Sequence, residues 1–249
     1  MKIIISPAKK MNIVQDFDGT LTQPALLDKT SQICRVMKEM SLEQLEKLWH
    51  CSRKLALTNY ERHQTINLHT GLSPALLTYE GLQYQYMAPH VFTGNQWEYV
   101  LHNLRILSGF YGVLRPFDGV APYRLEMQAP LTVGHRANLY EYWGSLLAEN
   151  LCADDDLIVN LASHEYSRAV LPHLPGQVAC ITCDFKEAVK GRLITKGTHA
   201  KMARGEMVRF LAGNDVSGPD GIKEFHGLNY EFQPSLSSGE RYVFVRTSD

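Results

Sequence analysis

Two short apolar runs constrain the fold more than any other feature of this chain. Ile3, Ile4 and Ile5 follow one another without a polar break, as do Leu157, Ile158 and Val159, with Leu161 just beyond Asn160. A strand with one wet face alternates polar and apolar residues, whereas a strand covered on both faces reads as a continuous apolar run. Both runs are therefore read as buried strands. Ser6 and Pro7 end the first, so Lys9 and Lys10 stand just past a strand end. The second leads into Ala162, Ser163 and His164, where a helix begins that Pro172 terminates.

Between these runs, residues 26–63 have a helical period. Ser41 and Gln44 form a capping box ahead of Leu42, Leu45, Leu48 and Trp49, and Ser52 offers a second start. One long helix and two helices joined by a tight turn both fit. Further strands are read at 104–107, 178–184 and 192–195, a helix from an N-cap at Thr198 to about Ala212, and a terminal hairpin pairing 228–232 with 242–246. These elements are interspersed without a regular β-α-β rhythm, linker or repeat. The expectation is a mixed α/β (α+β) fold in a single compact domain over residues 1–249, with a mixed sheet and surrounding helices.

Composition excludes several classes. A net charge of -1 argues against coating nucleic acid by bulk charge, although residues 186–209 place seven Lys and Arg against Glu187 and Glu206. The five cysteines lack framework spacing, which fits a reducing compartment. Cys180 and Cys183 match C-x-x-C but fall in a strand, where positions three apart face opposite ways, so no metal site is expected. No cofactor is expected either. The N-terminus has three consecutive strong apolar residues, short of a signal-peptide core or a membrane span, so the expected location is cytoplasmic, with no membrane partner.

Residues 16–20, DFDGT, spell a phosphotransfer signature in which the first aspartate attacks phosphorus. That chemistry needs a buried strand directly before Asp16. Only Ile13, Val14 and Gln15 precede it, and the acidic run at 154–156 comes before its strand rather than after it. The motif is read as a surface turn at Asp18 and Gly19.

Three other stretches are denser in chemistry. In residues 104–127, LRILSGFYGVLRPFDGVAPYRLEM, Gly109 and Gly112 permit close backbone approach to a ligand, beside Ser108, Tyr111 and Arg115. A two-residue period there puts Arg124 and Glu126 on one face. In residues 160–170, a strand runs into a helix whose start holds Ser163 and Glu165, which suits either an anion site or a plain cap. In residues 196–211, Lys201 and Arg204 share a face away from the apolar stripe, and Gly205 inside the helix marks close approach by a backbone or a ligand.

These stretches, with the N-terminal SPAKKM and the segments YEGLQY at 79–84, LYEYW at 139–143 and GLNYEF at 227–232, resemble the YaaA peroxide stress resistance family from Met1 to near the C-terminus. The resemblance implies a hydroperoxide stress role exercised by limiting free intracellular iron. It also implies a positively charged cleft and DNA binding through a helix-hairpin-helix element. Carried onto this chain, that element is residues 41–57, with Lys47, His50, Arg53 and Lys54 as its DNA-facing residues. Its turn, His50 and Cys51, has no glycine, and Glu43 and Glu46 lie close enough to offset part of the charge.

Two functional expectations follow. One is a DNA partner, double-stranded or structured, bound through its backbone with little sequence preference. The other is an enzyme acting on a phosphorylated or nucleotide-like ligand in a cleft lined by Lys9, Lys10, Ser108, Tyr111, Arg115, Arg124, Glu126, Ser163, Glu165, Lys201 and Arg204. No reaction is assigned from the sequence.

Overall fold

The computed structural model describes residues 1–153 and 155–247. Its main sheet comprises β1 (Lys2–Ile5), β2 (Leu104–Ser108), β3 (Gly112–Leu114), β4 (Leu157–Asn160), β5 (Ala179–Val189), β6 (Arg192–Ile194), β7 (Tyr230–Phe232) and β8 (Arg241–Arg246). The spatial order is β7-β8-β5-β4-β1-β2-β3, with β6 folded back on β5. The five central strands run parallel, while β3, β6 and β7 pair antiparallel to their neighbours. Ile3, Ile4 and Ile5 are wholly buried, as a strand covered on both faces requires. Register places Ile3 opposite Leu104 on one side and Val159 on the other.

The longer helices are α1 (Leu27–Glu39), α2 (Leu42–Trp49), α3 (Arg53–Thr65), α4 (Leu82–Met87), α5 (Gly94–Asn103) and α6 (Gly197–Gly213). The helical region at 26–63 is thus three separate helices. Ser41 closes the expected capping box on α2, whose far end is His50 in the left-handed conformation at φ 44°. A residue with a Cβ pays for that conformation, so α2 cannot run on into α3 as one helix. Lys47, His50 and Lys54 therefore do not form the stripe a continuous helix would give them.

Other expectations need adjusting. The helix α6 begins at Gly197 after Lys196, which makes no side-chain cap, so Thr198 lies inside it. Residues 121–126 are irregular and 127–128 form a turn, so the stretch is not a strand. Gly109 does allow a close approach, but to protein: a Cβ there would stand 2.8 Å from the Leu125 carbonyl oxygen and 3.0 Å from the Glu126 carbonyl carbon. Asp16 and Asp18 lie exposed on a loop with no strand directly before them. Of the acidic run, Asp155 pairs with Lys2 Nζ at 2.7 Å and with the terminal amine at the sheet's other edge, while Asp154 lies outside the described residues. Cys183 is buried and Cys180 half-buried, with alternating neighbours, as expected for a strand.

The tightest contact between helices is α6 against α4. A Cβ on Gly205 would fall 2.0 Å from the Gln83 carbonyl oxygen and 2.9 Å from the Met87 amide nitrogen, so only hydrogen allows the two backbones to meet. We expect Gly205→Ala to destabilise the protein by about 3 kcal/mol or more. Gly213→Ala, whose new methyl would come no nearer than 3.4 Å to Gln96 Nε2, should change it by less than about 1 kcal/mol. Urea denaturation of the two variants checks this.

Candidate functional site

The chain leaves β1 toward β2 on one side, and leaves β4 toward β5 on the other. Between the carboxyl ends of β1 and β4 the connections diverge, which opens a crevice where α/β folds place ligands. A cleft of about 380 Å³ lies there. Ser6 follows β1 and Ser163 follows β4, and they close its floor: Ser6 Oγ donates to Ser163 Oγ at 3.2 Å, and the Ser163 amide donates to Ser6 Oγ at 2.8 Å. The Ser163 side chain makes no cap of its own helix. Tyr84 Oη reaches over from α4 to donate to the Ser6 carbonyl at 3.0 Å.

Lys9, Lys10, Arg124, Lys201 and Arg204 line this cleft together with Glu80, Glu126 and Glu165, five basic residues against three carboxyls. Lys10 Nζ meets Glu80 at 2.6 Å across a two-residue bridge between Lys10–Met11 and Tyr79–Glu80. Lys9 Nζ and Arg124 Nη2 both approach Glu126 Oε1, at 2.9 and 3.3 Å. Glu165 Oε1 accepts from the Gln128 amide at 3.3 Å, and burial, helped by the charge of Glu126, pushes its carboxyl above the usual carboxylate range. Arg204 sits on the same face of α6 as Lys201, but its guanidinium is far from solvated, and burial lowers its proton affinity.

Five buried side-chain nitrogens among the described residues have no hydrogen-bond partner, and three of them, Gln83 Nε2, Arg124 Nε and Arg204 Nε, belong to residues lining the cleft. An unpaired buried donor is costly and uncommon, and three of the five belong to residues that line this one cavity.

Eight of the eleven residues expected in the cleft meet there: Lys9, Lys10, Arg124, Glu126, Ser163, Glu165, Lys201 and Arg204. Ser108, Tyr111 and Arg115 lie outside it. Ser108 Oγ is buried, receiving the Phe110 and Tyr111 amides and bonding Tyr123 Oη at 2.6 Å. Tyr111 Oη accepts from the Ala121 amide at 3.0 Å. Arg115 clasps Asp118 and the Gln23 carbonyl at a turn. These three organise the loop that carries Arg124. Sequence reading missed Ser6, Glu80, Gln83 and Tyr84; the adjacent YEGLQY segment was the available signal.

At residues 41–57, Arg53 is held by Glu43 at 2.8 Å and Glu46 at 2.9 Å, and its guanidinium draws the Glu43 carboxyl down to about 2. Lys47, His50 and Lys54 are exposed. Burial raises the Cys51 thiol, with Arg124, Glu126 and Lys9 within electrostatic reach, so this turn borders the cleft. His63, on α3, accepts the Arg124 amide at Nε2 and packs between Trp49 and Phe110.

A family model described as "Peroxide stress protein YaaA" matches residues 1–236. The chain belongs to that family. An Agathobacter rectalis protein is 49% identical over 246 residues, covering 99% of each chain. A Pediococcus pentosaceus protein is 50% identical over 247 residues, covering 99% of this chain and 98% of its own. One from Lactiplantibacillus plantarum is 48% identical over 245 residues, covering 98% and 99% respectively. All three are named only "UPF0246 protein", so they add relatives but no activity. Among the described residues no helix is long and apolar enough to cross a membrane, and no three His, Cys, Asp or Glu side chains converge as metal ligands.

Burial lowers the His63 imidazole from its ordinary 6.5 to about 4. Between those values the unfolded chain binds a proton that the folded one refuses. His63 therefore contributes fully above pH 6.5 and loses about 3 kcal/mol as pH falls to about 4. Urea midpoints measured from pH 7 to pH 4 should fall steeply in the native protein and less so in His63→Gln, which keeps an acceptor for Arg124.

Proposed function

We propose that this peroxide stress family member acts by binding a phosphorylated or nucleotide-like ligand in the cleft between β1 and β4. The carrying observation is that three unpaired buried donors, Gln83 Nε2, Arg124 Nε and Arg204 Nε, belong to residues lining one cavity. Phosphate oxygens supply several acceptors and a negative charge at once, which matches an arginine fork better than a neutral ligand does. Lys201 adds an exposed cation on the approach side. The lowering of free iron implied by the resemblance is, in this reading, a downstream consequence of what the cleft binds or converts.

A ligand present at about 100 times its Kd should stabilise the fold by about 2.7 kcal/mol, or roughly 5–10 °C in a chain of this size. A thermal-shift screen of nucleotides and sugar phosphates tests this. Arg204→Ala and Lys201→Ala should each weaken the responding ligand about tenfold or more. If nothing in the screen shifts the melting temperature at millimolar concentration, the reading fails.

A second reading is contact with DNA backbone at α2–α3, with the mixed charge there limiting it to weak binding. It is favoured by the start of α3, where Ser52 makes no capping hydrogen bond and exposed Lys54 stands beside the first-turn amides. Labelled duplex, bulged and single-stranded DNA should then bind with a steep salt dependence. Replacing Lys54 by Ala should reduce the slope of log K against log salt by about 1. Binding that is absent at low salt removes this reading and leaves the cleft reading intact.

A further inference from the structure

The two inner carboxyls of the cleft occupy opposite surroundings. Glu126 Oε1 faces two cations, Lys9 Nζ at 2.9 Å and Arg124 Nη2 at 3.3 Å. Glu165 is half-buried against a backbone amide, with Glu126 as a neighbouring negative charge, and it keeps a proton to higher pH than an ordinary glutamate. They come from separate parts of the chain. Glu126 lies on the irregular segment braced by Gly109, and Glu165 on the turn of helix His164–Ser167 that follows β4. Two carboxyls in one site, one paired with two cations and the other half-buried with only a backbone amide as its hydrogen-bond donor, can divide the acid and base roles that cleaving a glycosidic bond needs.

The remaining cleft walls select the kind of glycoside. Arg204 and Lys201 on α6 offer cationic donors to a phosphate, while the largely buried Tyr84, Tyr123 and Tyr166 also line the cleft. A volume of about 380 Å³ suits one small ligand. We propose that the cleft hydrolyses the N-glycosidic bond of a nucleoside phosphate, with Glu165 as general acid and Glu126 as general base. The proposal rests on the ligand reading above and adds a reaction to it.

In that reaction Glu165 passes its proton to the base nitrogen as the C1′–N bond breaks, and the bonding pair leaves with the base. A water oxygen forms the new C1′–O bond, and Glu126 takes the proton that water releases. The products are the free base and a sugar phosphate with a hydroxyl at C1′. Proton exchange with solvent then returns Glu165 to its acid form and Glu126 to its anion. Water is the sole co-reactant, and nothing is oxidised or reduced.

The substrate phosphate could belong to a free nucleotide or to a nucleic acid strand, and the experiment separates the two. The full chain is incubated with ribo- and deoxynucleoside 5′-monophosphates in one arm and with a single-stranded oligonucleotide in the other. Chromatography measures released base, and thermal shift with the same mononucleotides measures binding. We expect base release in one arm, reduced about 100-fold or more in Glu165→Gln while the mononucleotide shift persists. We also expect the rate to fall as pH rises and Glu165 loses its proton. A thermal shift without base release in either arm overturns the hydrolysis and spares the ligand reading. Base release that survives in Glu165→Gln overturns the assigned acid. Neither shift nor release overturns both readings.

Discussion

The structure depends first on β1 lying between two parallel partners with both faces covered. Ile3, Ile4 and Ile5 leave no surface to water, and each buried peptide group needs its partner in β2 or β4. That requirement fixes where β1 stops, because Pro7 has no N–H to continue the ladder. Ser6 then emerges at the sheet edge beside Ser163, and the hydroxyl contacts between them close the floor of the cleft.

The walls of the cleft are set by close backbone approaches at two glycines. Gly205 brings α6 onto α4, so that Arg204 and Lys201 stand near Gln83 and Tyr84. Gly109 lets residues 125–127 rest on the turn after β2, which carries Arg124 and Glu126 to the site. The Ser108–Tyr123–Tyr79 hydroxyl chain and the His63 acceptor hold that same segment from behind. Positions far apart in the chain thus converge through close backbone approaches and buried hydrogen bonds. Such support holds charged groups at fixed separation, which ligand binding and proton transfer both require.

Charge is arranged unevenly inside the site. Glu80 and Glu126 each have a cation at hydrogen-bond distance, while Glu165 relies on burial and a backbone amide. At the α2–α3 turn the balance differs, since Arg53 is already occupied by Glu43 and Glu46. A guanidinium shared by two carboxylates must give them up before it can serve a phosphate. The turn and the cleft are near each other, since the charges of Arg124, Glu126 and Lys9 reach the Cys51 thiol.

Local pattern in the sequence determined the buried strands, the capping box on α2, the terminal hairpin, the placing of DFDGT on a surface loop and the family. Each of these depends on residues close together in the chain or on a continuous string of them. Eight cleft residues were also legible, because they sit just past strand ends or on one face of a helix. Ser108, Tyr111 and Arg115 were misplaced because a polar residue beside a glycine reads the same whether it faces a ligand or ties down a loop. Only the tertiary structure decided that Gly109 and Gly205 face protein backbone, that Arg53 is engaged by two glutamates, and that Glu126 and Glu165 share a cavity in opposite surroundings. Apart from the Arg53 pairings, these outcomes depend on contacts between segments well separated in the chain, and burial and pairing at such contacts leave no periodic signature in a single sequence.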